Sequence, residues 1–154
     1  MSKKILGFFL FLFLTSCGYE PIYSKKNIKK MDFSIGKFEI IGDRQIGLKI
    51  KQKLNIYTLN KKEKFFDLKI SSSKDRIVLS KNELGDPTRF QLLVKIKFEV
   101  KKSDASISTF TLSQKFSYDN NANRFTLKKY ETEITNNLTE TILDDLFFKL
   151  ATIS

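Results

Sequence analysis

The stretch Phe90-Gln91-Leu92-Leu93-Val94-Lys95-Ile96-Lys97-Phe98-Glu99-Val100 decides the fold. Phe90, Leu92, Val94, Ile96, Phe98 and Val100 stand two apart, with Gln91, Lys95, Lys97 and Glu99 between them. Side chains on a strand alternate between faces, so this spacing describes a long β-strand with one dry and one wet side. After a polar connection, Lys101 to Ala105, the residues Phe110, Leu112, Phe116 and Tyr118 continue in the same phase. The two segments therefore predict an antiparallel hairpin, whose second strand ends at Asp119-Asn120-Asn121. Its wet face carries Lys95, Lys97, Lys101 and Lys115.

Upstream, Phe66, Leu68 and Ile70 alternate with Asp67 and Lys69, predicting a strand that runs out in Ser71-Ser72-Ser73. Arg76 to Ser80 is read as a further short strand. Ile46, Ile50 and Leu54 recur every four residues behind Asp43, a residue type that accepts hydrogen bonds from the first free amides of a helix. That helix is expected to end by about Asn60. Phe33 and Ile35, then Phe38 and Ile40, form two alternating pairs broken at Gly36, which predicts a first strand with a bulge, stopping at Gly42-Asp43.

Beyond the hairpin, from about Thr126, the period becomes helical, with Leu127, Tyr130, Ile134, Leu138, Ile142, Leu146 and Leu150 in one stripe. The opposite side carries Glu131, Glu133, Glu140, Asp144 and Asp145. An acidic face is poorly suited to lying on a membrane, so the stripe is expected to pack on the sheet. The sum is an α+β two-layer sandwich, an approximately four-stranded sheet with two helices packed on one face.

The 154 residues contain no His, no Trp and a single Cys, Cys17. This removes His/Cys metal centres, Ser-His-Asp and Cys-His catalysis and any internal disulfide. A carboxylate pair could still serve a glycan hydrolase, but the acids fall on expected helix faces and in turns. We read a non-enzymatic domain without metal or cofactor. The formal charge is +11, of which Lys3 and Lys4 account for two. Such a balance attracts anionic head groups, glycolipid phosphates or nucleic acid, and it also arises from a general bias toward Lys and Asn.

The N-terminus narrows the partners. Met1-Ser2-Lys3-Lys4 is a short basic segment, and Ile5 to Leu14 is ten residues of nearly pure apolar sequence. About 20 helical residues are needed to cross a bilayer, whereas this length suits a secretory leader. Leu14-Thr15-Ser16-Cys17 then resembles the bacterial lipobox, in which diacylglycerol is attached to the Cys thiol and the leader is removed ahead of it. The reading is a signal peptide over residues 1–16, a lipidated tether over 17–31 and an α+β domain over 32–154, with export excluding nucleic acid as a partner. Several acyl chains on Cys17 would give stable anchoring. By the sorting rule of Gram-negative lipoproteins, Gly18 in place of Asp favours the outer membrane.

Cys17-Gly18-Tyr19-Glu20-Pro21-Ile22-Tyr23 resembles the start of the lipopolysaccharide-assembly lipoproteins, the LptE family, in their alphaproteobacterial branch. Asp43-Arg44-Gln45-Ile46 is loosely similar to the opening of that family's first helix. Gly85-Asp86-Pro87-Thr88-Arg89-Phe90 resembles its entry into the long strand, and Tyr118-Asp119-Asn120-Asn121 its Asp-Asn turn before a terminal helix. The resemblance covers the mature domain in element order. It implies a lipid-anchored subunit on the periplasmic side of the outer membrane that plugs the β-barrel LptD and assists lipopolysaccharide assembly. Its chemistry is binding without turnover, and the cations expected to meet lipid A phosphates are Lys81, Arg89, Lys128 and Lys129. The competing reading is an auxiliary lipoprotein of an ABC-type phospholipid-transport system.

Overall fold

The computed structural model describes residues 33–58, 62–102 and 106–153. The leader, Cys17 and the tether lie outside the described residues. The elements run β1 (Ser34–Gly42), α1 (Arg44–Thr58), β2 (Phe65–Lys81), β3 (Pro87–Lys102), β4 (Ile107–Asp119) and α2 (Arg124–Ile153). They form the expected α+β fold, with a mixed sheet in the order β1-β2-β3-β4.

The long hairpin is as the alternation predicted. In β3–β4 pairing Phe90 stands opposite Tyr118, Leu92 opposite Phe116 and Phe98 opposite Phe110. All six apolar β3 positions are buried, while Lys95, Lys97, Lys101 and Lys115 are exposed on the other face. β1 runs parallel to β2, a pairing that requires a crossover, and α1 supplies it. The β1 register shifts between Ile35 and Phe38, where the Asp67 carboxylate accepts the Lys37 amide at 2.7 Å. That is the bulge expected around Gly36.

β2 does not end at the serines. It is one strand of 17 residues, and Ser71, Ser72 and Ser73 pair with Lys97, Ile96 and Lys95 of β3. The short strand over Arg76 to Ser80 is its continuation. The serines mark where β1 leaves. The Ser72 carbonyl accepts the Asp43 amide at 3.2 Å, and its buried hydroxyl donates to the Ile41 carbonyl. Gly42 turns the chain away with φ +109°, at a point where any Cβ would overlap the Ser72 carbonyl oxygen. A polar run thus records the edge of a neighbour, and the backbone ladder to β3 carries on through it.

Asp43 caps α1 through one carboxylate oxygen that accepts the Gln45 and Ile46 amides at 2.9 and 3.0 Å. Those bonds and Lys74, opposing the burial of Asp43, hold its carboxyl below the usual range. Ile46, Ile50 and Leu54 are fully buried. α2 starts two residues before Thr126, because Asn123 accepts the Phe125 and Thr126 amides at 3.0 Å and caps the helix there. Its buried side also differs from the predicted stripe: Tyr130 is exposed, whereas Leu143 and Phe147 are buried beside Ile142 and Leu146. From Thr132 onward α2 meets α1 as well as the sheet, which widens the buried sector there. At its start only the sheet is covered.

Lys53 lies 3.1 Å from Glu140 and 3.4 Å from Asp144, and Lys49 is 3.1 Å from Glu140. Gln45 adds a bond to the Thr132 carbonyl at 3.0 Å. These contacts join α1 to α2. At the end where β1 and β2 begin, Phe33 meets Phe66 edge-on at 5.6 Å and Tyr57 packs on Phe147 at 4.3 Å.

Candidate binding end of the sheet

The opposite end is built from two turns. In the β2–β3 turn the Asn82 side chain accepts the Leu84 and Asp86 amides at 3.1 and 2.8 Å, and Gly85 takes φ +87°. These local bonds satisfy the backbone and leave Leu84 projecting, 87% exposed. The β4–α2 turn docks alongside it. Asn120 donates its backbone amide to the Thr88 carbonyl and its side-chain amide to the Pro87 carbonyl, both at 2.8 Å. Phe125, in the first turn of α2, is exposed like Leu84.

Beneath these turns the packing is partly ionic. Arg76 lies over the Phe90 ring, 3.7 Å from its centroid, and its Nε is 3.2 Å from Glu131. The buried Tyr118 hydroxyl donates to the same carboxylate at 2.6 Å. Burial, the bond to Glu131 and the charge of Glu131 push the Tyr118 phenol well above its ordinary range, so it remains a hydrogen-bond donor. The group fixes the start of α2 to β2 and β4.

An open cleft of about 580 Å³ lies between the end of β4 and the first turns of α2. It is lined by Phe116, Asn120, Asn121, Lys129, Tyr130 and Glu133, with Thr126 and the edge of Tyr118. Phe116 and Tyr130 are each more than two-fifths exposed, and Tyr118 meets Tyr130 edge-to-face with 6.0 Å between centroids.

The four cations expected from sequence lie at this end without converging on one point. Lys81 closes β2 opposite Pro87. Arg89 stands on the outer sheet face with its Nε 3.7 Å from Asp119, both side chains largely in solvent. Lys128 is exposed on α2, and Lys129 alone lines the cleft.

Sequence reasoning missed the Arg76–Glu131–Tyr118 group and the aromatic cleft. A signal for the first was present. Arg76 falls in the inward phase of Phe66, Leu68 and Ile70, and Glu131, expected on the outer acidic face, falls four residues after Leu127 and in fact turns inward on α2. Opposite charges at two inward positions imply a pair. The cleft left no such signal, because it depends on where α2 crosses β4.

No protein-family model and no curated protein matches the chain. Solved structures do match its fold. Rare lipoprotein B from Shewanella oneidensis superposes with TM-score 0.58 at 12% identity, over 79% of this chain and 97% of that one. A minor lipoprotein from Acinetobacter baumannii gives 0.58 at 13%, over 79% and 92%. Lipoprotein B from Nitrosomonas europaea gives 0.55 at 11%, over 80% and 87%. At these identities the likeness is one of fold.

Proposed function

We propose that this chain is an outer-membrane lipoprotein, anchored through Cys17 on the periplasmic side, that supports and plugs the translocon β-barrel LptD and assists lipopolysaccharide assembly. The observation that carries the reading is the coincidence of two independent features. A lipobox stands at Leu14 to Cys17, and the domain behind it shares its fold, nearly end to end, with solved lipoproteins.

The distribution of side chains fits the role. The outer sheet face presents short hydroxyls and lysines, including Ser73, Ser113, Thr109, Thr111, Lys95 and Lys97, a surface compatible with the polar lining of a barrel. The end bearing Lys81, Arg89, Lys128 and Lys129 offers exposed cations to glycolipid phosphates, whose charge-assisted bonds are stronger than neutral ones. β2 alone spans about 55 Å at the usual rise per residue. Because β1 and β2 start together, Phe33 lies at one end of the sheet and these cations stand at the other.

The role is tested by replacing the chromosomal gene with Cys17→Ala. Release of the protein from outer-membrane fractions, together with loss of lipopolysaccharide from the cell surface, is expected. Unchanged fractionation would overturn the anchor, and normal surface lipopolysaccharide after depletion of the whole protein would overturn the assembly role.

A further inference from the structure

The cleft between β4 and α2 has a lining that suits one class of ligand. Two exposed aromatic side chains, Phe116 and Tyr130, provide apolar surface, and the contact with Tyr118 holds the Tyr130 ring in place. Around them are two carboxamides, a hydroxyl, an ammonium and a carboxylate, from Asn120, Asn121, Thr126, Lys129 and Glu133. The turn uses only half of each amide. Asn120 spends its NH2 group on Pro87 and Asn121 its oxygen on the Asn123 amide, so the Asn120 oxygen and the Asn121 NH2 have no bond among the described residues. One acceptor and one donor are therefore fixed in orientation by the turn itself.

The charges disfavour a simple anion site. Lys129 and Glu133 are one helical turn apart on the same wall, a spacing at which opposite charges offset each other. Asp119 also lines the cleft and brings a further negative charge, with Arg89 as its counter-ion at 3.7 Å. A phosphate entering here would face carboxylates as well as the ammonium. A sugar ring has what the lining asks for: a C–H face for an aromatic side chain and hydroxyls that both donate and accept.

We propose that this cleft binds a saccharide, with a ring packed against Tyr130 and Phe116 and its hydroxyls bonded to Asn120, Asn121 and Glu133. The proposal deepens the lipopolysaccharide-assembly reading, since the glycan part of such a lipid is the source of sugar that the anchored domain would meet. It divides the far end into a phosphate-facing rim of Lys81, Arg89 and Lys128 and a sugar-binding cleft, and it moves Lys129 from the first to the wall of the second.

The test is saturation-transfer NMR on the mature lipidated chain in detergent, with two probes: a dephosphorylated core oligosaccharide released from lipopolysaccharide, and inorganic phosphate. Transfer to the oligosaccharide ring protons is expected. Tyr130→Ala should weaken binding about tenfold, the scale of a lost aromatic contact. Tyr130→Phe should retain most of the affinity, and Lys129→Ala should change it little. Tyr130 is exposed, so an unchanged melting temperature will exclude misfolding as the cause.

Absence of transfer at millimolar oligosaccharide would overturn the proposal. So would phosphate competing for the site with loss on Lys129→Ala, which would make it an anion site. A Tyr130→Ala protein that still co-purifies with a barrel while losing the sugar separates this inference from the assembly role.

Discussion

The two ends of the sheet are held together by different physics. At the end where β1 and β2 begin, two helices and two strands converge on Phe33, Tyr57, Phe66 and Phe147, and the contacts are aromatic and dry. At the other end β1 has already left, α1 has not begun, and only α2 covers the sheet. There a smaller buried cluster of Phe90, Leu92, Tyr118, Leu127 and Ile134 is tied across by the Arg76–Glu131–Tyr118 group, while Ile77, Val78, Leu79, Leu84, Phe116 and Phe125 stay open to solvent. Among the described residues β2 has no neighbour on its β1 side beyond Ser72. The lesson is a division of labour: the fuller apolar burial lies at one end, and the other combines a smaller apolar cluster with an ionic tie and leaves more apolar and basic side chains in solvent.

The largest effect should come from the dry end. Phe66→Ala removes a fully buried ring and is expected to cost about 3–5 kcal/mol, read as a lowered urea midpoint. Phe125→Ala at the open end should stay within about 0.5 kcal/mol. Equal losses from the two would break the comparison.

Next comes the point where the two regions meet. Gly42→Ala puts a Cβ into the Ser72 carbonyl at a left-handed φ and is expected to cost about 2–3 kcal/mol. Thermal melting checks it, and a neutral substitution would mean that β1 does not need to leave the sheet there.

Glu131→Ala leaves the Tyr118 hydroxyl and Arg76 without their shared acceptor, at an expected cost of about 1–2 kcal/mol. Amide exchange sharpens the contrast. The loss of protection should concentrate in the first turns of α2 and in β2 beyond Ser73, with Phe66 and Phe147 unaffected. Uniform loss would show that the two ends unfold as one.

The smallest effect is electrostatic. Hydrogen bonds from Lys53 and Lys49 hold the Glu140 carboxyl below its ordinary value of 4.5. Burial disfavours the Lys53 charge, but Glu140 and Asp144 outweigh it and raise that group. A carboxyl lowered by folding stabilises fully above its unfolded value, and that contribution is lost as pH falls through the lower folded value. Both partners are partly exposed, so less than about 1 kcal/mol is expected. Glu140→Gln should flatten the stability profile below pH 4.5, and an identical profile would remove the pair from the account.

The elements were legible where a period was clean. The alternation from Phe90 to Val100 and the four-residue spacing of Ile46, Ile50 and Leu54 each reported a single buried face. Reading failed where burial depended on a second neighbour. Ser71 to Ser73 looked like a strand end because they sit where β1 departs, and Leu143 and Phe147 fell outside the stripe because α1 buries them. The candidate binding end was legible only as basic residues near turns. Its cleft arises from Tyr130 swinging out beside β4, and a helical stripe that placed Tyr130 inside concealed it.

The assembly role is tested most directly by affinity purification of the tagged protein from detergent-solubilised envelopes, with mass spectrometry of what stays bound. The account predicts a large outer-membrane β-barrel at one-to-one stoichiometry. Recovery of an inner-membrane ABC transporter in its place, or of no partner at all, would contradict it.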